Sequence, residues 1–82
     1  MRMAEHEEEL IVPLAMVENG RKVRLVTINA GCELKGRLSA LGLVPGVEIE
    51  MIKNPPDGPV IIGIKEGRLI LGRGMAQKIN VR

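Results

Sequence analysis

Few residues in this sequence could act as nucleophiles, proton carriers or metal ligands. It contains one cysteine, Cys32, and one histidine, His6. A catalytic Cys–His pair is not expected, because His6 lies among glutamates near the start of the chain, far from Cys32 in sequence. One residue of each kind also excludes an internal disulfide, an all-cysteine metal site and a multi-histidine zinc site.

Two further patterns match catalytic or phosphate-binding motifs only in part. Glu48 and Glu50 alternate along one predicted strand, where they are expected to keep its outer surface hydrated rather than to form an acid/base pair. The segment Gly72-x-Gly74 lacks the lysine and the strand-to-helix context of a phosphate-binding loop. The sequence therefore predicts a protein that is not an enzyme.

Metal binding is the chemical alternative that the residues leave open, through Cys32, His6 or Glu33. Cys32 lies near the predicted N-terminus of a helix, where a thiolate is favoured. No cluster of histidine, cysteine and carboxylate is visible in the sequence, however, and a buried or half-buried small residue is the simpler interpretation of Cys32. No metal ligand is therefore assigned.

The stretch 33–47 is the only one whose apolar residues have helical spacing, and it is the most specific segment of the sequence. Three leucines share one face, which is expected to cover the core: Leu34, Leu38 and Leu41. Gly42 follows these leucines and is predicted to end the helix, because glycine readily adopts the left-handed conformation found there. Leu43 is the apolar residue that comes next. Pro45 and Gly46 then predict a tight turn with a positive φ at the glycine.

Short segments in which apolar and polar residues alternate lie before and after this helix in the sequence. The segment 22–29 is rich in β-branched residues and changes phase near Leu25 and Val26, which predicts a bulge or a strong bend. Pro13 restricts the first apolar segment to an edge strand or a short turn. Further strands are predicted at 47–51, 60–64, 69–71 and 77–81. Short strands with Gly- and Pro-rich turns and one core predict a mainly β fold, a small SH3-like barrel of five to six strands with one short helix at an open end.

Composition indicates one domain with an aliphatic core. Of the 82 residues 45% are hydrophobic, but phenylalanine, tyrosine and tryptophan are absent, so valine, isoleucine, leucine and methionine must form the core. Residues 1–9 carry one arginine against four glutamates, a net charge of −3, and are expected to form a disordered acidic tail. Residues 10–82 carry 11 basic against 6 acidic residues, a net charge of +5.

The charge and hydropathy patterns argue against two classes of partner. The basic residues are scattered and no aromatic side chain is available for bases to stack on, so nucleic-acid binding by a ribosomal type of SH3-like module is the least favoured alternative. No apolar run approaches the roughly 20 residues of a membrane span, and the acidic start does not resemble a signal peptide. A cytoplasmic protein without direct membrane insertion is expected.

The sequence resembles the FeoA family. Its members are the small cytosolic component of the bacterial ferrous iron transport system. The resemblance extends over residues 10–82. It rests on several spaced motifs in the family's order: Arg37-Leu38, Leu41-Gly42-Leu43, Pro45-Gly46, Leu71-Gly72-Arg73, Ala76, and Ile79 with Val81. Two positions depart from the family pattern. Leu41 replaces the more usual methionine, and Gly36 stands where a charged or long side chain is common.

The resemblance implies an SH3-like fold and a non-catalytic accessory role in ferrous iron uptake, docked on the cytosolic part of the membrane transporter FeoB. Four residues form the expected partner-binding set: Lys35, Arg37, Leu41 and Leu43. The same domain occurs at the C-terminus of metal-dependent repressors, so a transition-metal-binding or metal-sensing module is the alternative. No cofactor is certain, and weak binding of a transition metal such as iron belongs to that alternative. Any contact with the membrane would run through FeoB, and the oligomeric state is not predicted.

Overall fold

The computed structural model describes residues 10–82, which form a six-stranded antiparallel sheet with two helices. The strands are β1 (Val12–Pro13), β2 (Lys22–Ile28), β3 (Glu48–Lys53), β4 (Val60–Ile64), β5 (Gly67–Leu71) and β6 (Ile79–Val81). The helices are α1 (Cys32–Ala40) and the single turn α2 (Arg73–Ala76), and a 3₁₀ turn covers Leu14–Met16. The acidic tail predicted for residues 1–9 lies outside the described residues.

The strand order is β1-β6-β2-β3-β4-β5, and all neighbouring strands are antiparallel. The prediction of a mainly β domain of five to six strands with one short helix is confirmed. Residues 73–76 add one α-helical turn to the single helix that the sequence predicted. Pro13 lies on the edge strand β1, opposite Asn80, which is the kind of strand where proline is tolerated. Among residues 10–82 no helix is long and apolar enough to cross a membrane.

Strand β2 changes partner along its length. Its first half pairs with β3 over residues 22–24, and Leu25 then donates its N–H to the Val47 carbonyl at 3.0 Å and accepts from the Gly46 N–H at 2.7 Å. On the other side, the register with β6 shifts between Leu25 and Thr27, which confirms the predicted bulge. Residues 26–28 therefore have no strand beside them on the β3 side.

Aliphatic side chains fill the core, as the composition predicted. The buried hydrophobic residues are Leu14, Val17, Val23, Leu25, Ile28, Leu38, Leu43, Ile49, Met51, Val60, Ile62, Leu71, Ala76, Ile79 and Val81. The inward residues alternate along β2 and β3, which explains the period of two in the sequence. Leu38 is the single buried residue of α1. Leu34 is half-buried and packs against the core.

The end of α1 has the geometry of a Schellman motif. The Leu43 N–H donates to the Leu38 carbonyl at 2.9 Å, and the Gly42 N–H donates to the Ser39 carbonyl at 2.9 Å. Gly42 has a φ of +103°, as predicted for a glycine at this position. The motif turns the chain so that Leu43 packs into the core together with Leu38.

Candidate partner-binding surface around α1

The exposed residues of α1 lie on two sides of its buried residue, Leu38. Leu38 points into the core, and a helix advances by about 100° per residue. Lys35 and Ser39 therefore lie on one flank of Leu38, and Arg37 and Leu41 lie on the opposite flank. The structure thus separates the partner-binding residues that the sequence predicted instead of bringing them together.

The positions of Leu41 and Leu43 correct part of the prediction. Leu43, predicted to contact a partner, is only 1% exposed, because the Schellman motif directs it into the core. Leu41, predicted to cover the core as well as to bind, is 49% exposed. Helical spacing alone placed Leu41 on the buried face, but the helix ends there and the chain turns inward only after Gly42. The surface set is therefore Lys35, Arg37 and Leu41.

Leu41 borders a groove between the end of α1 and the hairpin that joins β4 to β5. This hairpin groove has a volume of about 290 Å³ and is lined by Ala40, Leu41, Ile64, Glu66, Gly67, Arg68 and Leu69. Most of its walls are aliphatic, with one carboxylate and one guanidinium among them. An exposed leucine at the edge of such a groove is accessible to a protein partner.

Lys35 borders a second groove, on the other flank of α1. This β2 groove has a volume of about 270 Å³ and is lined by residues 25–28 of β2, by Lys35 and Ser39, and by Leu43, Val44 and Pro45. The bulge between Leu25 and Thr27 interrupts the alternation of side chains, so neighbouring residues of β2 can line the same groove. Leu43 thus contributes a wall of this groove from its buried position.

Electrostatic contacts on α1 are weak. Arg37 lies 3.9 Å from Glu33 one turn earlier, and both side chains are largely exposed, so the pair contributes little to stability.

Cys32 is a free, exposed thiol, which differs from the buried or half-buried residue that the sequence suggested. Within residues 10–82 no three His, Cys, Asp or Glu side chains come close enough to hold a metal ion, and His6 lies outside that range.

The two strand glutamates lie where the sequence placed them. Glu48 and Glu50 are both exposed on the outer face of β3, opposite Arg24 and Lys22 of β2. They line a third and more open groove of about 730 Å³ over that face of the sheet. Cross-strand neighbours of opposite charge fit a hydrated outer surface.

A polar network that sequence reasoning missed joins the β3–β4 loop to the 3₁₀ turn and to α2. Asn54 donates from Nδ2 to the carbonyls of Ala15 (2.8 Å) and Val17 (2.7 Å) and accepts at Oδ1 from Arg73 Nη2 at 2.6 Å. Arg73 also donates to the carbonyls of Gly58, at 3.1 Å from Nε, and Pro55. Asn54 precedes two prolines in an irregular segment, and Arg73 was noted only as part of a motif, so nothing in the sequence paired them.

Comparisons with known proteins agree with this fold. The family model of the FeoA domain matches residues 12–82. The "Putative Fe(2+) transport protein A" of Methanocaldococcus jannaschii is 41% identical over 69 residues, which cover 84% of this chain and 83% of that protein. A crystal structure of the iron uptake regulatory protein FeoA superposes with a TM-score of 0.82 at 34% identity, covering 89% of this chain and 97% of that one.

Likenesses at lower sequence identity show the fold alone. FeoA of Stenotrophomonas maltophilia, described as a prokaryotic SH3 domain protein and solved with zinc, has a TM-score of 0.75 at 21% identity and covers 87% of this chain and 89% of its own. A manganese-dependent transcriptional repressor matches with a TM-score of 0.78 at 18% identity, over 87% of this chain and 40% of its own. These likenesses confirm the predicted SH3-like fold. With its family model matched from Val12 to the last residue and a relative at 41% identity, the chain belongs to the FeoA family.

Proposed function

We propose that this chain is a non-catalytic accessory protein of ferrous iron uptake, which docks on the cytosolic part of the transporter FeoB through the Leu41 flank of α1. Membership of the FeoA family and the name of the relative from M. jannaschii support the link to ferrous iron transport. The proposal places the protein in the cytoplasm, with contact to the membrane through FeoB. Residues 10–82 are the docking domain.

The exposure of Leu41 carries the docking proposal. A half-exposed leucine costs hydration free energy in the free protein, and its burial by a partner recovers that cost. The hairpin groove beside it offers aliphatic walls, and Arg37 lies on the same flank of α1. Arginine is enriched at interfaces because its side chain combines charge, planarity and apolar surface.

The direct test is a titration of the isotope-labelled full chain with the unlabelled cytosolic part of FeoB, followed by amide NMR. We expect the resonances of residues 37–41 and 64–69 to shift or broaden. The Leu41→Ala variant should bind about tenfold more weakly, which is the typical effect of removing one interface anchor.

Met16→Ala is the matched control, because Met16 is 71% exposed and lies in the 3₁₀ turn rather than on α1. It removes more exposed apolar surface than Leu41→Ala does, yet it should leave the affinity within about twofold, since contacts outside the interface contribute little. Binding that leaves the resonances of α1 unmoved, or equal losses in both variants, would contradict docking through this flank.

A further inference from the structure

We infer that the β2 groove is a second binding site, which takes an extended peptide segment carrying an aliphatic side chain next to carboxylates. It lies on the Lys35 flank of α1, opposite to Leu41, so the inference does not rest on the proposed docking to FeoB. The ligand is defined by three properties of the groove: its open strand edge, its apolar walls and its charge.

The open strand edge favours a ligand with an extended main chain. The β2–β3 ladder ends at residue 24, and Gly46 and Val47 take up the hydrogen bonds of Leu25. The bulge between Leu25 and Thr27 then leaves residues 26–28 paired with β6 on one side only, and on the open side the Ile28 carbonyl accepts from the Ala30 N–H at 3.0 Å. Backbone N–H and C=O groups on such an edge are the groups that strand-adding peptides bind.

The walls of the groove favour an aliphatic side chain. Val26 is half-buried and Val44 is 39% exposed, and together with Pro45 they present apolar surface to solvent. The floor includes Leu25 and Leu43, which already belong to the core. A volume of about 270 Å³ accommodates side chains rather than a folded element, so the ligand must be thin.

The charge of the groove favours carboxylates. Lys35 lines its rim, is exposed, and makes no side-chain hydrogen bond or ion pair with any residue from 10 to 82. No acidic residue lines the β2 groove, whereas Glu66 lines the hairpin groove and Glu48 and Glu50 line the groove on the outer sheet face. An acidic peptide therefore meets an ammonium group here without a competing carboxylate.

The test is an NMR titration of the full chain with the synthetic peptide acetyl-Glu-Val-Ile-Val-Glu-amide. We expect saturable shifts of the amides of residues 25–28, 35 and 39. A matched peptide with lysine in place of both glutamates should bind at least about fivefold more weakly, because it reverses the charge that meets Lys35. A third peptide, N-methylated at its central amides, should lose saturable binding, because it cannot donate to the strand edge.

Two variants of the protein separate the groove from the rest of α1. Lys35→Gln should weaken the acidic peptide by about threefold to fivefold, and Ser39→Leu, which places bulk over the groove, should weaken it by more than about tenfold. Arg37→Gln is the control, because Arg37 lies on the other flank and does not line the groove. Amide spectra of each variant confirm that the fold is retained.

Three results would overturn the inference. Equal affinity of the glutamate and lysine peptides would remove the role of charge, and unchanged affinity of the N-methylated peptide would remove strand addition. Concentration-dependent shifts of the groove amides without any peptide would show that a second copy of this chain occupies the groove, which would replace a separate partner as the occupant.

Discussion

Gly36 and Gly42 lie six residues apart and place opposite demands on a side chain. Gly36 sits in the middle of α1, is exposed, and a methyl group added there would meet no atom within 4 Å. Gly42 has a φ of +103°, and its added methyl group would lie 2.8 Å from Oε1 of Glu66 and 3.0 Å from Ile64 Cδ1. One glycine is therefore dispensable for the fold and the other is required by it.

We expect Gly36→Ala to raise the free energy of unfolding by about 1 kcal/mol, since alanine has the higher helix propensity and nothing obstructs it. Gly42→Ala should lower the free energy of unfolding by about 2 kcal/mol, because a non-glycine residue is strained at this φ and the hairpin must also shift. Urea denaturation followed by circular dichroism measures both, because the chain has no aromatic residue to report by fluorescence. A destabilising Gly36→Ala would show that the helix needs this glycine within the free domain.

Leu41 and Leu43 test the division between surface and core. Leu43→Ala should destabilise the domain by about 2–5 kcal/mol, because it leaves a cavity beside Leu38. Leu41→Ala should cost less than about 1 kcal/mol, because half of that side chain is already in water. The same urea titrations distinguish the two variants. Similar losses of stability would contradict the assignment of Leu43 to the core and of Leu41 to the surface.

At the scale of elements, the Asn54–Arg73 network joins the β3–β4 loop to α2 and to the 3₁₀ turn. Asn54→Ala should lower the free energy of unfolding by about 2–3 kcal/mol, because it removes three side-chain bonds and leaves partly buried partners unpaired. Asn19→Ala is the control, since Asn19 only accepts one bond at the surface, from the Asn54 N–H at 2.8 Å. It should cost about 0.5–1 kcal/mol.

A double-mutant cycle tests whether Asn54 and Arg73 act as one unit. Arg73→Lys keeps the charge but cannot reproduce donation from both Nε and Nη2, so it should be destabilising by itself. The cost of combining it with Asn54→Ala should fall short of the summed single costs by about 1 kcal/mol or more, as expected for residues in one network. Additive costs would show that the two residues are independent.

The elements could be predicted from the sequence because each depends on local pattern. Alternation gave the strands, the phase change gave the bulge in β2, and Gly42 gave the end of α1. The exchange of roles between Leu41 and Leu43 could not be predicted from helical spacing, because it depends on how the chain turns after the helix. The Asn54–Arg73 contact joins residues 19 apart, with two strands between them, so no local pattern contains it.

At the scale of the whole molecule, the sheet order distributes stability unevenly. Four strands have neighbours on both sides, whereas β1 and β5 are the outer strands of the order. β1 has two residues, and its exposed neighbour Ile11 precedes it, so little apolar burial holds this edge. The centre of the sheet, at β2 and β3, contributes buried residues from both strands to one core.

This arrangement predicts the pattern of amide hydrogen exchange. Amides of β2, β3, β4 and β6 that donate within the ladders should exchange only by global unfolding, whereas the amides that pair β1 with β6 should exchange through local opening.

The two-residue turn at 65–66 makes Ile64 and Gly67 a hydrogen-bonded pair of the β4–β5 hairpin. Ile62 and Leu69, two residues further along each strand, form the next such pair. The Arg68 and Ile70 amides then point away from β4 and should exchange much faster than that of Leu69. Equal protection of Ile70 and Leu69 would mean that another element, or a second copy of the chain, covers the β5 edge in solution.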